Sequence, residues 1–207
     1  MIKYILIGLL FSIIAYAECD TSIEKLPRFN RTMDTIGDSL TWNLEGNKLR
    51  CLLDSKNFNY DFIGAYIDGY GYHHDGQGGD TSKDVLSRID SIPYSDNYFL
   101  LIGVNDIPKT AQYTYNNIIK ISELLHKKNP SALIYVSTLL PTDDYHNIRN
   151  NEVNILLRNK LDCYYFELID LGAYFSSIPN WEQLMIDGVH PTLEGYNKIT
   201  DYLITVI

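Results

Sequence analysis

Two stretches, YFLLIGV at residues 98–104 and ALIYVSTLL at residues 132–140, are apolar at nearly every position and do not alternate with polar side chains. A strand with one wet face alternates, so an unbroken apolar run of this length suits a strand covered on both faces, as in a parallel sheet clothed by helices. TMDTI at residues 32–36 and YYFELIDL at residues 164–171 are further candidate strands. Helical patterns lie between and after them, over residues 44–53, 82–89, 113–127, 151–160 and 192–206. Alternation of strand and helix predicts an α/β fold, a three-layer α/β/α sandwich with a mostly parallel central sheet. The span GAYIDGYGYHHDGQGG, residues 64–79, is too irregular for an element and reads as a long loop of the kind that often carries function.

The chain has 207 residues, 45% apolar and 21% charged, which is enough for one globular domain with a full core. Its first seventeen residues, MIKYILIGLLFSIIAYA, combine a basic start at Lys3, an apolar run and a small-x-small end at Ala15-Tyr16-Ala17. That pattern predicts an export signal, residues 1–17, cleaved before Glu18, and a single mature domain over residues 18–207. The alternative is an uncleaved anchor helix, against which the apolar run falls short of the roughly 20 residues needed to span a bilayer; no stable membrane insertion is expected after cleavage. Glu18 before Cys19 also argues against lipid attachment there. The expected location is therefore secreted or periplasmic. The net charge of −9, with no basic block, argues against nucleic acid or an anionic lipid surface as partner. Cys19, Cys51 and Cys163 would meet an oxidising compartment, where one disulfide and one leftover thiol is the natural count, with the pairing open. No Cys-x-x-Cys or Cys/His cluster points to a zinc site.

Ligands of open α/β sheets sit beyond the carboxyl ends of the strands, and four segments there carry polar groups. Gly37-Asp38-Ser39-Leu40 follows the first candidate strand. Ser39 can be a helix cap, or a nucleophile set among free backbone N–H groups. Gly79 precedes Asp80 and Thr81, and Thr81 with Asp84 has capping-box spacing; Gly79 is either a turn glycine or a bare backbone N–H donor. Gly103-Val104-Asn105-Asp106 places an amide donor past a buried strand, or is ordinary turn chemistry. In DGVHPT, Asp187 and His190 stand three apart before a helix start, as a surface turn or as a base with its orienting carboxylate. Taken together, four strand or loop ends each carry one part of an acyl-transfer site. The order Ser, Asn, Asp, His and the lack of a Gly-x-Ser-x-Gly elbow exclude the ordinary α/β-hydrolase arrangement.

These blocks resemble those of the GDSL/SGNH hydrolase superfamily: GDSL at residues 37–40, Gly79 in GGDTS, GVND at residues 103–106 and DGVHP at residues 187–191. The resemblance implies a flavodoxin-like SGNH hydrolase fold, with Ser39 as nucleophile, His190 as base and then acid, and Asp187 as orienting acid. It further implies an oxyanion hole made of the Ser39 and Gly79 backbone N–H groups and the Asn105 side chain, and no metal or organic cofactor. The segment YDFIGAY followed by HHDGQGGDTSKDVLSRI is similar to the same region of secreted carbohydrate acetyl esterases, with His74-Asp75-Gly76 for their His-Glu-Gly. Asp80 departs from the aromatic often found there. His73 and His74 can be read as metal ligands or as a bland exposed loop pair.

The expected activity is that of a secreted serine esterase cleaving short acyl groups, O-acetyl foremost, from a carbohydrate through an acyl-Ser39 intermediate. Its partner would be a small-molecule or glycan ester; the sequence leaves the oligomeric state open. A lipid esterase, lysophospholipase or thioesterase is the rival within the class, and an O-acyltransferase would use the same acyl-serine. A non-catalytic binding module on the same fold is a further alternative, against which the joint presence of Ser39, Asp187 and His190 speaks.

Overall fold

The computed structural model describes residues 19, 24–42, 48–142, 146–159 and 165–207. The predicted export signal, Cys163 and the parts of predicted elements at residues 44–47, 160 and 164 lie outside the described residues.

Seven strands among the described residues form one sheet: β1 Thr32–Gly37, β2 Asp61–Ile63, β3 Tyr66–Ile67, β4 His73–Gly76, β5 Asn97–Leu101, β6 Leu133–Ser137 and β7 Glu167–Ile169. The helices are α1 Lys48–Ser55, α2 Ser82–Ser87, α3 Ala111–Lys128, α4 His146–Arg158, α5 Leu171–Ser176 and α6 Leu193–Val206. A short 3-10 turn covers Trp181–Leu184. β1, β5, β6 and β7 run parallel in that order. The other edge of β1 is shared: β2 pairs with residues 32–34, and β4 with Ile36 and Gly37. Only β3 is antiparallel, on β4.

Helices lie on both faces of the sheet, making the α/β/α sandwich that the apolar runs predict. α1 and α5 pack with α6, while α2 and α4 pack with α3. β5 is buried at every position and β6 at every position but its first, which is why neither sequence alternates. The helix starts follow their capping chemistry. The Thr81 hydroxyl and the Asp84 carboxylate close the capping box of α2 that their spacing predicts, and Thr192 accepts the Gly195 N–H at 3.1 Å to open α6. α4 begins at His146 rather than at residue 151, because a buried residue of its early turns is polar: the Asn150 amide donates to the Leu140 carbonyl at 3.3 Å.

The reading of residues 64–79 as one long loop is corrected by β3 and β4. His73-His74-Asp75-Gly76 has no β-branched side chain to announce a strand; its extended backbone is instead fixed by pairing with the open half-edge of β1. Nor are the two histidines an exposed pair. His74 is buried, its Nδ1 accepts the Gly76 N–H at 3.1 Å, and burial pushes its pKa down to about 3, so the ring is neutral. His73 bonds Glu24 at 2.9 Å through Nε2. Among the described residues no group of three or more His, Cys, Asp or Glu could hold a metal ion, and no helix is long and apolar enough to cross a membrane. Cys19 and Cys51 form a disulfide, which ties the segment before β1 to α1.

Candidate active site

β1 ends at Gly37, and the chain turns at once. Thr41 and Trp42 N–H both donate to the Asp38 carbonyl, at 3.1 and 2.9 Å, and Leu40 N–H donates to Asp38 Oδ1 at 3.0 Å. Asp38, not Ser39, therefore caps this turn. The Ser39 hydroxyl is left to face His190, with Oγ 2.8 Å from Nε2. The turn can be this tight because glycine lies under it: a Cβ on Gly37 would sit 2.1 Å from the Leu101 carbonyl oxygen, and one on Gly76 2.6 Å from Thr41 Oγ1. From below, the fully buried Arg50 holds the exit of the turn, donating to the Thr41 carbonyl at 2.7 Å while its Nε pairs with Asp68 at 2.8 Å.

His190 is presented by a second turn. Asp187 Oδ1 accepts the His190 N–H at 2.8 Å and the Val189 N–H at 3.1 Å, and its Oδ2 lies 2.8 Å from His190 Nδ1. Gly188, between them, has φ +83°, a backbone conformation that costs glycine nothing. Partial burial works to raise the Asp187 carboxyl, but the hydrogen bonds from the backbone and ring of His190 and from Val189 outweigh it and hold the group below the ordinary carboxylate range. The structure thus brings together the three residues predicted as nucleophile, base and orienting acid, Ser39, His190 and Asp187, with a 2.8 Å contact at each link.

The three predicted oxyanion donors come from neighbouring segments. Gln77 N–H donates to the Gly37 carbonyl at 3.0 Å, and Gly78 lies against the Trp42 ring so closely that a Cβ there would be 2.4 Å from Cε3. The following residue, Gly79, has φ +83° and faces open space. Asn105 Nδ2 donates to the Asp80 carbonyl at 3.0 Å, which lays the amide beside the Gly79 segment and leaves its second hydrogen available.

Sequence reasoning gave no role to the groups that hold these segments. Asp106, read as part of a turn, is a buried carboxylate that accepts Ser82 N–H and Oγ at 2.7 and 2.6 Å and Thr114 Oγ1 at 2.5 Å. Arg149 donates to the Gly103 carbonyl at 3.0 Å and to Thr114. Arg88 joins β1, β4 and the loop of Asp80. The partners of Arg149 and the Ser82 partner of Asp106 are far off in sequence; the nearer partners, Thr114 for Asp106 and Asp80 for Arg88, each stand eight residues away.

A hydroxyl, an imidazole and a carboxylate in hydrogen-bonded series, at the carboxyl-end side of a parallel sheet and without a Gly-x-Ser-x-Gly elbow, define a serine hydrolase of α/β architecture. Residues 35–198 match the model of the GDSL-like lipase/acylhydrolase family, and the chain belongs to that family. It is an ester-hydrolysing serine hydrolase. Solved structures of the same fold include a carbohydrate esterase family 3 protein from Talaromyces cellulolyticus, with 18% identity and a TM-score of 0.69 over 85% of this chain and 97% of that one. A family 3 carbohydrate esterase from Clostridium thermocellum is 21% identical, with a TM-score of 0.68 over 84% of this chain and 94% of the other. A member of the lipolytic G-D-S-L family from Veillonella parvula DSM 2008 is 20% identical, with a TM-score of 0.69 over 85% and 97%. No match was found among curated proteins.

Proposed function

We propose that this hydrolase is a secreted esterase that removes short acyl groups, acetyl foremost, from carbohydrate hydroxyls through an acyl-Ser39 intermediate. The observation that carries the reading is the Ser39–His190–Asp187 series with 2.8 Å at both links. Ser39 Oγ attacks the ester carbonyl while His190 Nε2 takes its proton, and Asp187 holds Nδ1–H and stabilises the imidazolium. The tetrahedral oxyanion accepts from Ser39 N–H, Gly79 N–H and the second Asn105 amide hydrogen. Collapse expels the sugar alcohol, protonated by His190. A water then gives its proton to His190 and attacks the acyl-serine, releasing the acid and free Ser39.

Two features support a bulky, polar alcohol. The side chains of His190 and Asp187 are 40% and 54% exposed, so a large glycan can approach them from solvent. Two of the structural relatives are named carbohydrate esterases, which supports the same substrate class here. An export signal at residues 1–17 and a single domain from residue 18 complete the reading; peptide mass mapping of the mature chain tests the cleavage.

The function is tested with p-nitrophenyl esters from acetate to palmitate and with acetylated xylan, comparing wild type with Ser39→Ala. Turnover is expected to be best on acetate, to extend to the polysaccharide, and to fall roughly 10⁴-fold or more in Ser39→Ala. Equal hydrolysis by both proteins would remove Ser39 from the mechanism. Best turnover on long chains would make the protein a lipid esterase, and transfer of acetyl to an added sugar in preference to water would make it an acyltransferase.

A further inference from the structure

Arg88, the residue that ends α2, has a side chain only 14% exposed, and every bond that its guanidinium makes goes to a segment of the active site. Nε donates to Asp80 Oδ2 at 3.0 Å. Nη2 donates to the Asp75 carbonyl at 2.7 Å and reaches the Gly37 carbonyl at 3.4 Å, and Nη1 lies 3.4 Å from Asp75 Oδ1. Gly37 is two residues before Ser39. Asp80 follows Gly79 directly, and the Asp80 carbonyl is the acceptor of Asn105 Nδ2. One planar cation is thus fastened, directly or through one residue, to the segments that carry all three candidate oxyanion donors.

The charges around it matter as much as the bonds. Asp75 is fully buried and the Asp80 side chain is 14% exposed, and Asp80 directly follows Gly79, a candidate oxyanion donor. A bare carboxylate there would oppose the oxyanion, and a carboxylate as little exposed as Asp80 is screened less than one in open solvent. Arg88 compensates both, and its fork offers fixed directions that an ammonium does not.

We propose that Arg88 is a positioning residue for ester hydrolysis: it locks the Gly79–Asp80 segment against the end of β1 and neutralises Asp80, so the oxyanion donors stand ready before the transition state forms. The proposal rests on the esterase reading of the site. It touches no reacting atom, so its effect belongs in kcat rather than in substrate binding.

The test is p-nitrophenyl acetate kinetics on wild type, Ser39→Ala, Arg88→Lys, Asp80→Asn and the double variant, with inhibition by phenylboronic acid, whose tetrahedral serine adduct mimics the oxyanion. Arg88→Lys keeps the charge and loses the fork; its kcat should fall about 10–100-fold, as small misplacements of reacting groups do, with KM within about twofold. The boronate Ki should weaken in parallel with kcat. Asp80→Asn should lose kcat several-fold at unchanged KM, and the loss in the double variant should be smaller than the product of the single losses, because the two residues act as a unit. Unchanged kcat in Arg88→Lys, an equal loss in KM, or strict multiplicativity would overturn the proposal. Should Arg88→Lys not fold, Asp80→Asn decides, full kcat overturning it. If wild-type turnover does not depend on Ser39, the esterase reading itself fails, which is a separate outcome.

Discussion

A serine after Gly-Asp at the end of a strand has two claims on its hydroxyl, and the neighbouring aspartate decides between them. Asp38 takes the capping work through Oδ1, and Ser39 Oγ is released to His190. That service has a cost. Asp38 is fully buried, and burial pushes its carboxyl up to about 7 from an ordinary value near 3.8. The native chain therefore keeps a proton here that the unfolded chain has released. The stability that this proton contributes is complete below about pH 4 and is lost as pH rises through 7, at no more than about 1.4 kcal/mol per pH unit. Asp38→Asn keeps the acceptor for Leu40 N–H and cannot ionise. The melting temperature of wild type relative to Asp38→Asn should fall steadily between pH 4 and pH 7.5, as read by differential scanning calorimetry. A constant difference across that range would mean that Asp38 is ionised throughout. At this scale the grouping of Ser39, Asp187 and His190 was legible in the sequence only through the conjunction of four motifs, since each motif alone reads equally as a cap or a turn. Arg88 was not, because what makes it matter is Gly37 and Asp75, 51 and 13 residues away along the chain.

The elements divide in a similar way. β5 and β6 declare themselves through side chains that are apolar on both faces, since the sheet that buries them asks for nothing else. β4 is a strand by backbone pairing alone, and its two central side chains, His74 and Asp75, are buried polar groups that no hydrophobic pattern would expect. Its end is also closely packed against the Ser39 turn. A Cβ on Gly76 would lie 2.6 Å from Thr41 Oγ1, 2.8 Å from the Thr41 carbonyl carbon and 2.9 Å from its oxygen, and backbone cannot yield as a side-chain tip does. Gly76→Ala must therefore push β4 away from the turn that carries Ser39. Such overpacking costs typically about 1–3 kcal/mol, so the urea midpoint should drop with no change in m-value. The same shift would carry the Gly79 segment away from Ser39, and kcat on p-nitrophenyl acetate should fall with it. A variant as stable and as active as wild type would show that β4 has slack which these distances deny.

Over the whole molecule, the segment ahead of β1 is held to the domain at several points. Asp61 accepts the Arg28 and Phe29 N–H groups at 2.7 and 2.8 Å, Arg28 pairs with Asp54, and the Cys19–Cys51 disulfide fixes the segment to α1. α1 packs on α6 and carries Arg50, which supports the Ser39 turn, so the bridge stiffens the layer behind the site without touching its chemistry. The cysteine count alone left three pairings open, because pairing is set by where the fold brings chain ends together and not by spacing. With its cysteines 32 positions apart, the bridge removes loop entropy from the unfolded chain equivalent to about 3–4 kcal/mol in the chain-entropy view. Cys19→Ser and Cys51→Ser should each lower the denaturation midpoint by a similar amount, and dithiothreitol should bring wild type down to the same level while leaving either variant where it is. Below the transition, kcat on p-nitrophenyl acetate should be the same for oxidised wild type and both variants. A loss of kcat at temperatures where the variants are fully folded would show instead that the bridge reaches the Ser39 turn through α1, and that Arg50 transmits its removal.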